Sequence, residues 1–185
     1  GQVPTHLIGN DAFQECDTTG ITRPCTKHNY LVKETARLSR TLHEAFYVAR
    51  SGRPGPVVVD IPKDIQFASA AYVGLDELSF RSYRPQMKGD AKRIEAAVEL
   101  IAKAKRPIFY IGGGCINSGD RACQLVRKLV DATGYPATMT LMGLGAFPAA
   151  DPKSLGMVGM HGTYESNLAM HGSDVMINIG ARFDD

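Results

Sequence analysis

No part of this sequence forms a run of like charge, and no apolar stretch approaches the roughly 20 residues a membrane span needs. Its 21 Lys and Arg are scattered among 19 Asp and Glu, so the electrostatic footprint of a nucleic-acid binder is missing. Neither an initiator Met nor a basic, apolar leader opens the chain. Cysteine is sparse. Cys16, Cys25, Cys115 and Cys123 make no CxxC pair and have no histidine pair near them at ligand spacing. That argues against a structural metal and for reduced, partly buried thiols in a cytoplasmic protein of bacterial type. A Ser-His-Asp order, a nucleophile elbow and a P-loop are also absent. Membrane, nucleic-acid, metal-centred and triad-hydrolase readings are thereby set aside. What remains is an ordinary globular composition, 44% hydrophobic and 22% charged.

The pattern along the chain is that of an α/β protein. Residues 1–28 are loop-rich, punctuated by Pro4, Gly9, Gly20 and Pro24. A helix is predicted from about Glu34 to Arg50, with Leu38, Leu42, Ala45, Phe46 and Ala49 as its apolar stripe and Gly52 as its cap. In SGRPGPVVVDIPKD the β-branched run reads as a strand covered on both faces of a parallel sheet. The pattern then dissolves, so residues 67–89 are expected to be a linker between a unit at 1–66 and a second at 90–185. Asp90 is placed to cap a helix whose buried face would be Ile94, Ala97, Val98 and Ile101. RPIFYIGGG gives strand and turn, and Ala122, Leu125, Val126 and Leu129 a helix ending at Gly134. PATMTL, a short helix from about Tyr164 to His171, and DVMINIG follow. This alternation predicts a doubly wound parallel sheet. The first unit enters its layer without the earlier strands, and ARFDD stops just past a strand end, so the sequence is expected to be an internal piece of a longer protein, incomplete in its second domain.

Three motifs carry chemistry, each with an ordinary alternative. IGGGCINSGD lets a backbone approach another group closely, although it misses the GxGxxG pattern at the third glycine; it is a nucleotide turn or only a tight one. In MHGTYESN the free N–H groups ahead of a short helix, with His161 beside Gly162 and Thr163, suit a phosphate or belong to a Thr-capped helix. Arg53, in the stiff GRPGP turn, is a guanidinium aimed at phosphate or a solvated side chain. From residues alone the reading stops at an α/β protein that contacts a phosphate-bearing cofactor.

Taken as a set, GQVPTHLIGNDAFQE, ITRPCTKHNYLV, SGRPGPVVVDIPKDIQ, IGGGCINSG, TLMGLGAFP, GMHGTYESN and GARFDD resemble one family over nearly the whole chain. It is the catalytic large subunit of acetolactate synthase (acetohydroxyacid synthase), a thiamine-diphosphate enzyme. SGRPGP is shared across thiamine-diphosphate decarboxylases, whereas DAFQE with TKHNYLV and GMHGT with RFDD are narrower. The resemblance implies the C-terminal half of a pyrimidine-binding domain followed by most of an FAD-holding middle domain. It implies decarboxylation of pyruvate and carboligation to a second 2-oxo acid (pyruvate or 2-oxobutyrate), an early step of branched-chain amino-acid synthesis.

Phe13 and Gln14 match family positions near the reaction centre, the activating glutamate lying upstream of this stretch. Pro4, Lys27, Lys63, Met160 and Asp185 match the channel through which substrate and inhibitors pass. Arg53, His161, Gly162 and Arg182 match FAD contacts, with Gly113, Gly114, Thr140, Leu141 and Met142 as flavin neighbours. Thiamine diphosphate and Mg2+ would be held mainly by parts outside these residues, so the piece alone is expected to be inactive. Family subunits form homodimers or homotetramers and can bind a small regulatory subunit. Rival readings are an FAD-free catabolic acetolactate synthase, a glyoxylate carboligase, and a stand-alone nucleotide-binding module.

Overall fold

A computed structural model of the chain describes residues 2–72, 74 and 78–183. Two compact units emerge, Gly1–Met87 and Lys88–Asp185.

The first unit is a small βαβ layer. Helix α1 (Thr18–Thr22) begins at Asp17, whose carboxylate accepts from Gly20 N. Strand β1 (His28–Leu31) pairs in parallel with β2 (Val57–Asp60), from His28 opposite Val57 to Leu31 opposite Asp60. Helix α2 (Leu38–Arg50) connects them, and α3 (Lys63–Phe67) follows β2. The polar start of HNYL concealed β1 in the sequence, and Val57–Val59 are half-buried rather than covered on both faces. Among the described residues β2 has one neighbouring strand.

The α2 region also departs from expectation. Thr35–Arg37 form a 3-10 turn, and the α-helix proper begins at Leu38. Ala45 and Val48 are its buried residues, while Phe46 is 73% exposed and Leu42 is also exposed. A two-stranded sheet covers only a narrow strip of helix, so small residues three apart meet it and Phe46, one step round, does not. Ser51, in extended conformation, is the cap; Gly52 follows it with φ +56°.

Residues 68–90 hold no helix or strand among those described, yet part of the stretch is anchored. Phe80 stacks on Tyr47 at 5.1 Å, and Tyr83 meets the same ring edge-on at 6.2 Å.

The second unit contains α4 (Ala91–Lys103), β3 (Pro107–Ile111), α5 (Gly113–Asn117), α6 (Asp120–Thr133), β4 (Ala137–Met139), β5 (Ser154–Met157), α7 (Tyr164–Gly172) and β6 (Val175–Ile179). Its sheet is parallel throughout, in the order β5-β4-β3-β6. From β3 the chain steps outward through β4 and β5, then returns to β6 on β3's other side. Phe109, Ile111, Val126, Val130, Met139 and Phe147 form the centre of its core.

Local signals set most boundaries here. Asp90 caps α4 by accepting from Arg93 N, and Gly134, at φ +72°, ends α6 with its N–H on Val130 O. The expected buried face of α4 is the exception. No residue of α4 is buried; Ile94 is 55% and Val98 58% exposed, and Ile101 is half-buried. Periodicity shows which face is apolar, but burial needs a covering element. IGGGCINSG folds as the short α5 rather than a bare turn, and β5, written SLGM, carried no strand pattern.

Candidate functional site

Parallel strands end on one edge, and in the second unit nearly every residue singled out lies along that edge. Gly113 and Gly114 follow β3, Thr140–Met142 follow β4, Met160–Gly162 follow β5, and Arg182 follows β6. Neighbouring strands lie about 4.8 Å apart, so three steps across the sheet make a row roughly 14 Å long. The order β5-β4-β3-β6 puts the reversal of winding between β3 and β6, where open α/β sheets leave a crevice at their carboxyl ends.

Glycines set the shape of that crevice. A Cβ on Gly112 would lie 2.4 Å from Gly180 O and 2.5 Å from Ala181 N. The two strand ends therefore close through backbone alone, with Gly112 N donating to Ile179 O and Gly114 N to Gly180 O, each at 2.9 Å. A Cβ on Gly113 would sit 2.9 Å from Met142 Cβ, so the β3 and β4 ends also meet. Thr140 accepts from Gly143 N and caps the 3-10 turn Leu141–Gly143, leaving Leu141 and Met142 exposed. Beside Gly114, an apolar trough of about 500 Å³ runs along Cys115, Ala122, Leu125, Leu129 and Ile179.

The turn after β5 is built by Asn167, which sequence reasoning passed over, and by Thr163, whose capping role was one of the two readings of this motif. Asn167 accepts from Gly159 N and donates to Gly159 O and Thr163 O, each at 3.0–3.1 Å. Thr163 caps α7 by accepting from Ser166 N and donates its own proton to Leu155 O. Below, the buried Thr138 hydroxyl lies 3.0 Å from Gly156 O and 3.1 Å from Ser166 Oγ. Gly162 packs so closely that a Cβ would stand 2.3 Å from Met157 O. His161 is exposed and Met160 is 91% exposed. After β6, Asn178 ties Ala181 through both its N–H and C=O, and Phe183 lies 5.3 Å from the Tyr110 ring. Asp185 lies outside the described residues.

In the first unit, residues 2–16 form a loop tied to α3 and β2. Gln2 Nε2 donates to Cys16 O and to the buried Asp60 carboxylate, both at 3.2 Å. Burial pushes the Asp60 carboxyl above its ordinary range, and the Gln2 hydrogen bond offsets part of that. Asp64 accepts from Thr5 N at 3.0 Å and from Thr5 Oγ1 at 2.5 Å, which together hold its carboxyl low. Lys63 N also donates to Gln2 O at 3.3 Å, so the start of the loop and the start of α3 are tied at two points. Further along, Phe13 is 91% exposed and Gln14 has φ +63°.

Lys27 has an engagement the sequence did not signal. Its ammonium donates to Val48 O at 2.5 Å, Ser51 O at 2.6 Å and Tyr83 Oη at 2.9 Å. A cation on the last carbonyls of α2 satisfies groups the helix leaves open and fastens Tyr83 to them. Arg53, one residue after Gly52, stays exposed.

Among the described residues no group of three or more His, Cys, Asp and Glu could hold a metal. None of their helices is long and apolar enough to cross a membrane. The winding order and glycine-lined carboxyl edge define a doubly wound α/β protein. Residues 94–185 match the family described as "Thiamine pyrophosphate enzyme, central domain". The whole chain is 50% identical to an acetolactate synthase isozyme 3 large subunit of Escherichia coli K12, and spans 32% of it. It is 47% identical to the acetolactate synthase large subunit of Haemophilus influenzae, again across its full length and 32% of the relative. Against chloroplastic acetolactate synthase 1 of Zea mays it is 46% identical, covering 29% of that protein. Its second unit thus carries the match to that central domain, and the whole chain is similar to acetolactate synthase large subunits, of whose length it spans about a third.

Proposed function

We propose that the protein containing this chain is an acetolactate synthase, which decarboxylates pyruvate and joins the two-carbon unit to a second 2-oxo acid. Thiamine diphosphate, when bound, supplies the carbanion chemistry of that reaction. The residues described here do the work of walls and supports.

The observation that carries the reading is the row along the carboxyl edge of the four-stranded sheet. A ligand extended over roughly 14 Å suits a dinucleotide, and the close-packed glycines leave room for its backbone-held phosphates. Gly112 and Gly162, where a Cβ would strike Gly180 O and Met157 O, draw the strand ends together so that mostly backbone faces FAD, with Gly113, Gly114, Thr140, Leu141 and Met142 beside the flavin. His161, Gly162 and Arg182 take its phosphates and polar groups; Arg53 is assigned to FAD by the family likeness alone. Residues 1–66 belong on this reading to the pyrimidine-binding domain and 90–185 to the FAD-holding middle domain, joined through 67–89.

Phe13 gives an apolar wall and Gln14 an amide donor to the incoming oxo acid. By the family likeness Pro4, Lys27 and Lys63 in the first unit and Met160 in the second are assigned to the access channel. The assembled enzyme is a cytoplasmic homodimer or homotetramer, with Mg2+ and the diphosphate held elsewhere and a small regulatory subunit as partner.

The test is the full-length protein. Purified, it should carry FAD and convert pyruvate to acetolactate only with thiamine diphosphate and Mg2+ present. Phe13→Ala and Gln14→Ala should each lower kcat/KM for the oxo acid by about ten- to a hundredfold while leaving flavin content unchanged. Absence of acetolactate sinks the proposal; turnover by protein that never binds FAD transfers it to the flavin-free type.

A further inference from the structure

Phe13 and Gln14 sit in a loop whose shape core burial cannot explain. Phe13 is 91% exposed, and Gly9, Asp11 and Gln14 all lie at positive φ, +87°, +52° and +63°. Two of those three carry a Cβ, for which the left-handed region is disfavoured. An apolar ring held out in water on a disfavoured backbone needs an internal support.

That support is Glu15. Its Oε1 accepts from Gly9 N at 2.5 Å and its Oε2 from Ala12 N at 2.9 Å, while its own N–H donates to Ala12 O at 2.9 Å. One carboxylate thus closes the loop at two points, six and three residues back, and the two turns carrying Asp11 and Gln14 fall inside the closure. The same amide bonds hold the Glu15 carboxyl below its ordinary range, so it is ionised and acceptor-only at neutral pH. Gln2 fixes the base of the loop, donating to Cys16 O and Asp60 and accepting from Val3 N.

We infer that Glu15 is a positioning residue: its carboxylate holds the 9–14 backbone in the one conformation that presents Phe13 and Gln14 to the 2-oxo acid. This rests on the reading of Phe13 and Gln14 given above.

The experiment uses the full-length enzyme with its cofactors bound and the variants Glu15→Gln and Glu15→Ala. In the amide variant, one acceptor becomes an NH2 that must face a backbone N–H, so one of the two closures is lost; in alanine both go. Hydrogen exchange over residues 9–15 should quicken in that order. kcat/KM for the oxo acid should fall in the same order, by about tenfold for Gln and more for Ala. FAD content and melting temperature should stay at the parent values. Added to Gln14→Ala, Glu15→Gln should lose less than the sum of the two single effects, because the part of its effect that acts through Gln14 is already gone.

Unchanged exchange and kinetics in the Glu15 variants, beside impaired Phe13→Ala and Gln14→Ala enzymes, overturn the inference and spare the site reading. A fully additive double variant, or activity lost together with flavin and melting temperature, also overturns it. Quickened exchange with silent Phe13→Ala and Gln14→Ala enzymes overturns the site reading, and the positioning role falls with it.

Discussion

The loop at residues 2–16 and the carboxyl edge of the four-stranded sheet present chemical groups by opposite means. The loop is shaped by side chains it has: Glu15 on Gly9 and Ala12, Gln2 on Cys16 and Asp60, Asp64 on Thr5. The edge is shaped by side chains it lacks, since Gly112 and Gly162 stand where a Cβ would strike backbone oxygen. A charged strut on an exposed loop can loosen without disturbing a core. A backbone contact between two strand ends cannot. Damage to the edge should therefore reach stability and ligand binding together, and damage to the loop should remain local.

The largest effect expected is at Gly112. In Gly112→Ala the new methyl has Gly180 O at 2.4 Å and Ala181 N at 2.5 Å, and neither is the end of a flexible side chain. The ends of β3 and β6 must part, at a cost of about 3 kcal/mol or more. Denaturant midpoints of the full-length protein should fall accordingly, and the protein should lose flavin on gel filtration. Gly162→Ala, 2.3 Å from Met157 O, should behave alike. A stable, flavin-replete Gly112→Ala enzyme would show that the edge yields as easily as the loop, and the contrast would collapse.

Next is the brace inside the first unit. Lys27→Met keeps the aliphatic stem but removes three donors, from Val48 O, Ser51 O and Tyr83 Oη. We expect a loss of about 1–3 kcal/mol, since charged donors are worth more than neutral ones and helix-end carbonyls lose a partner. Tyr83→Phe should cost less, because Phe80 and Tyr47 still pack on its ring. The two substitutions should be non-additive. The Lys27 hydrogen bond holds the Tyr83 phenol below its ordinary range, with Ser51 helping, so the Tyr83 titration should move up in Lys27→Met. The difference spectrum between that variant and its Tyr83→Phe double reads this directly.

These cases also show where sequence was informative. The caps at Asp90 and Gly134 were legible because their chemistry is local: a carboxylate three residues before an amide, and a residue able to take φ +72°. The parallel sheet was legible from alternation. Burial of Ile94 and Val98 was not, because an apolar stripe says nothing about what covers it. Strand β1 was hidden behind a polar His28-Asn29 start, and β5 behind a glycine. At the site, the glycines and His161 drew notice from residue type alone. Glu15 and Asn167 did not, and Lys27 was singled out for the channel rather than as a brace, because their partners are largely backbone amides and carbonyls, and backbone has no letter in a sequence.

A smaller effect separates the buried carboxyl from the hydrogen-bonded ones by pH. Burial raises the Asp60 carboxyl from its ordinary 3.8, whereas the Thr5 hydroxyl, helped by backbone amides, lowers that of Asp64, and the Lys105 and Arg106 amides lower that of Asp174. A carboxyl raised in the folded state binds its proton more readily there than in the unfolded chain. Stability from Asp60 is thus fully present below 3.8 and declines as pH rises through the raised folded value. The lowered pair runs the other way: their contribution is present above the ordinary value and is lost as pH falls through the folded one. Asp60→Asn keeps an acceptor for Gln2 Nε2 and carries no charge. Its stability relative to the parent should therefore rise as pH climbs above 3.8 and level off once the raised folded value is passed, read as urea midpoints at matched pH. Parallel curves would mean that Asp60 is not desolvated enough to matter.

The smallest effect expected comes from a glycine with nothing to strike. Gly172, the last residue of α7, lies at ordinary negative φ, with no atom within 4 Å of a would-be Cβ. Alanine there meets no backbone and reduces the freedom of the unfolded chain, so Gly172→Ala should stabilise by roughly 0.5 kcal/mol. Flavin content and kcat/KM should match the parent. Set beside Gly112→Ala, the pair differs in where the same methyl points, which isolates contact from glycine's intrinsic flexibility. If both variants lose stability alike, the edge glycines matter for backbone freedom, and the close approach of β3 to β6 is incidental to how that end of the sheet is held.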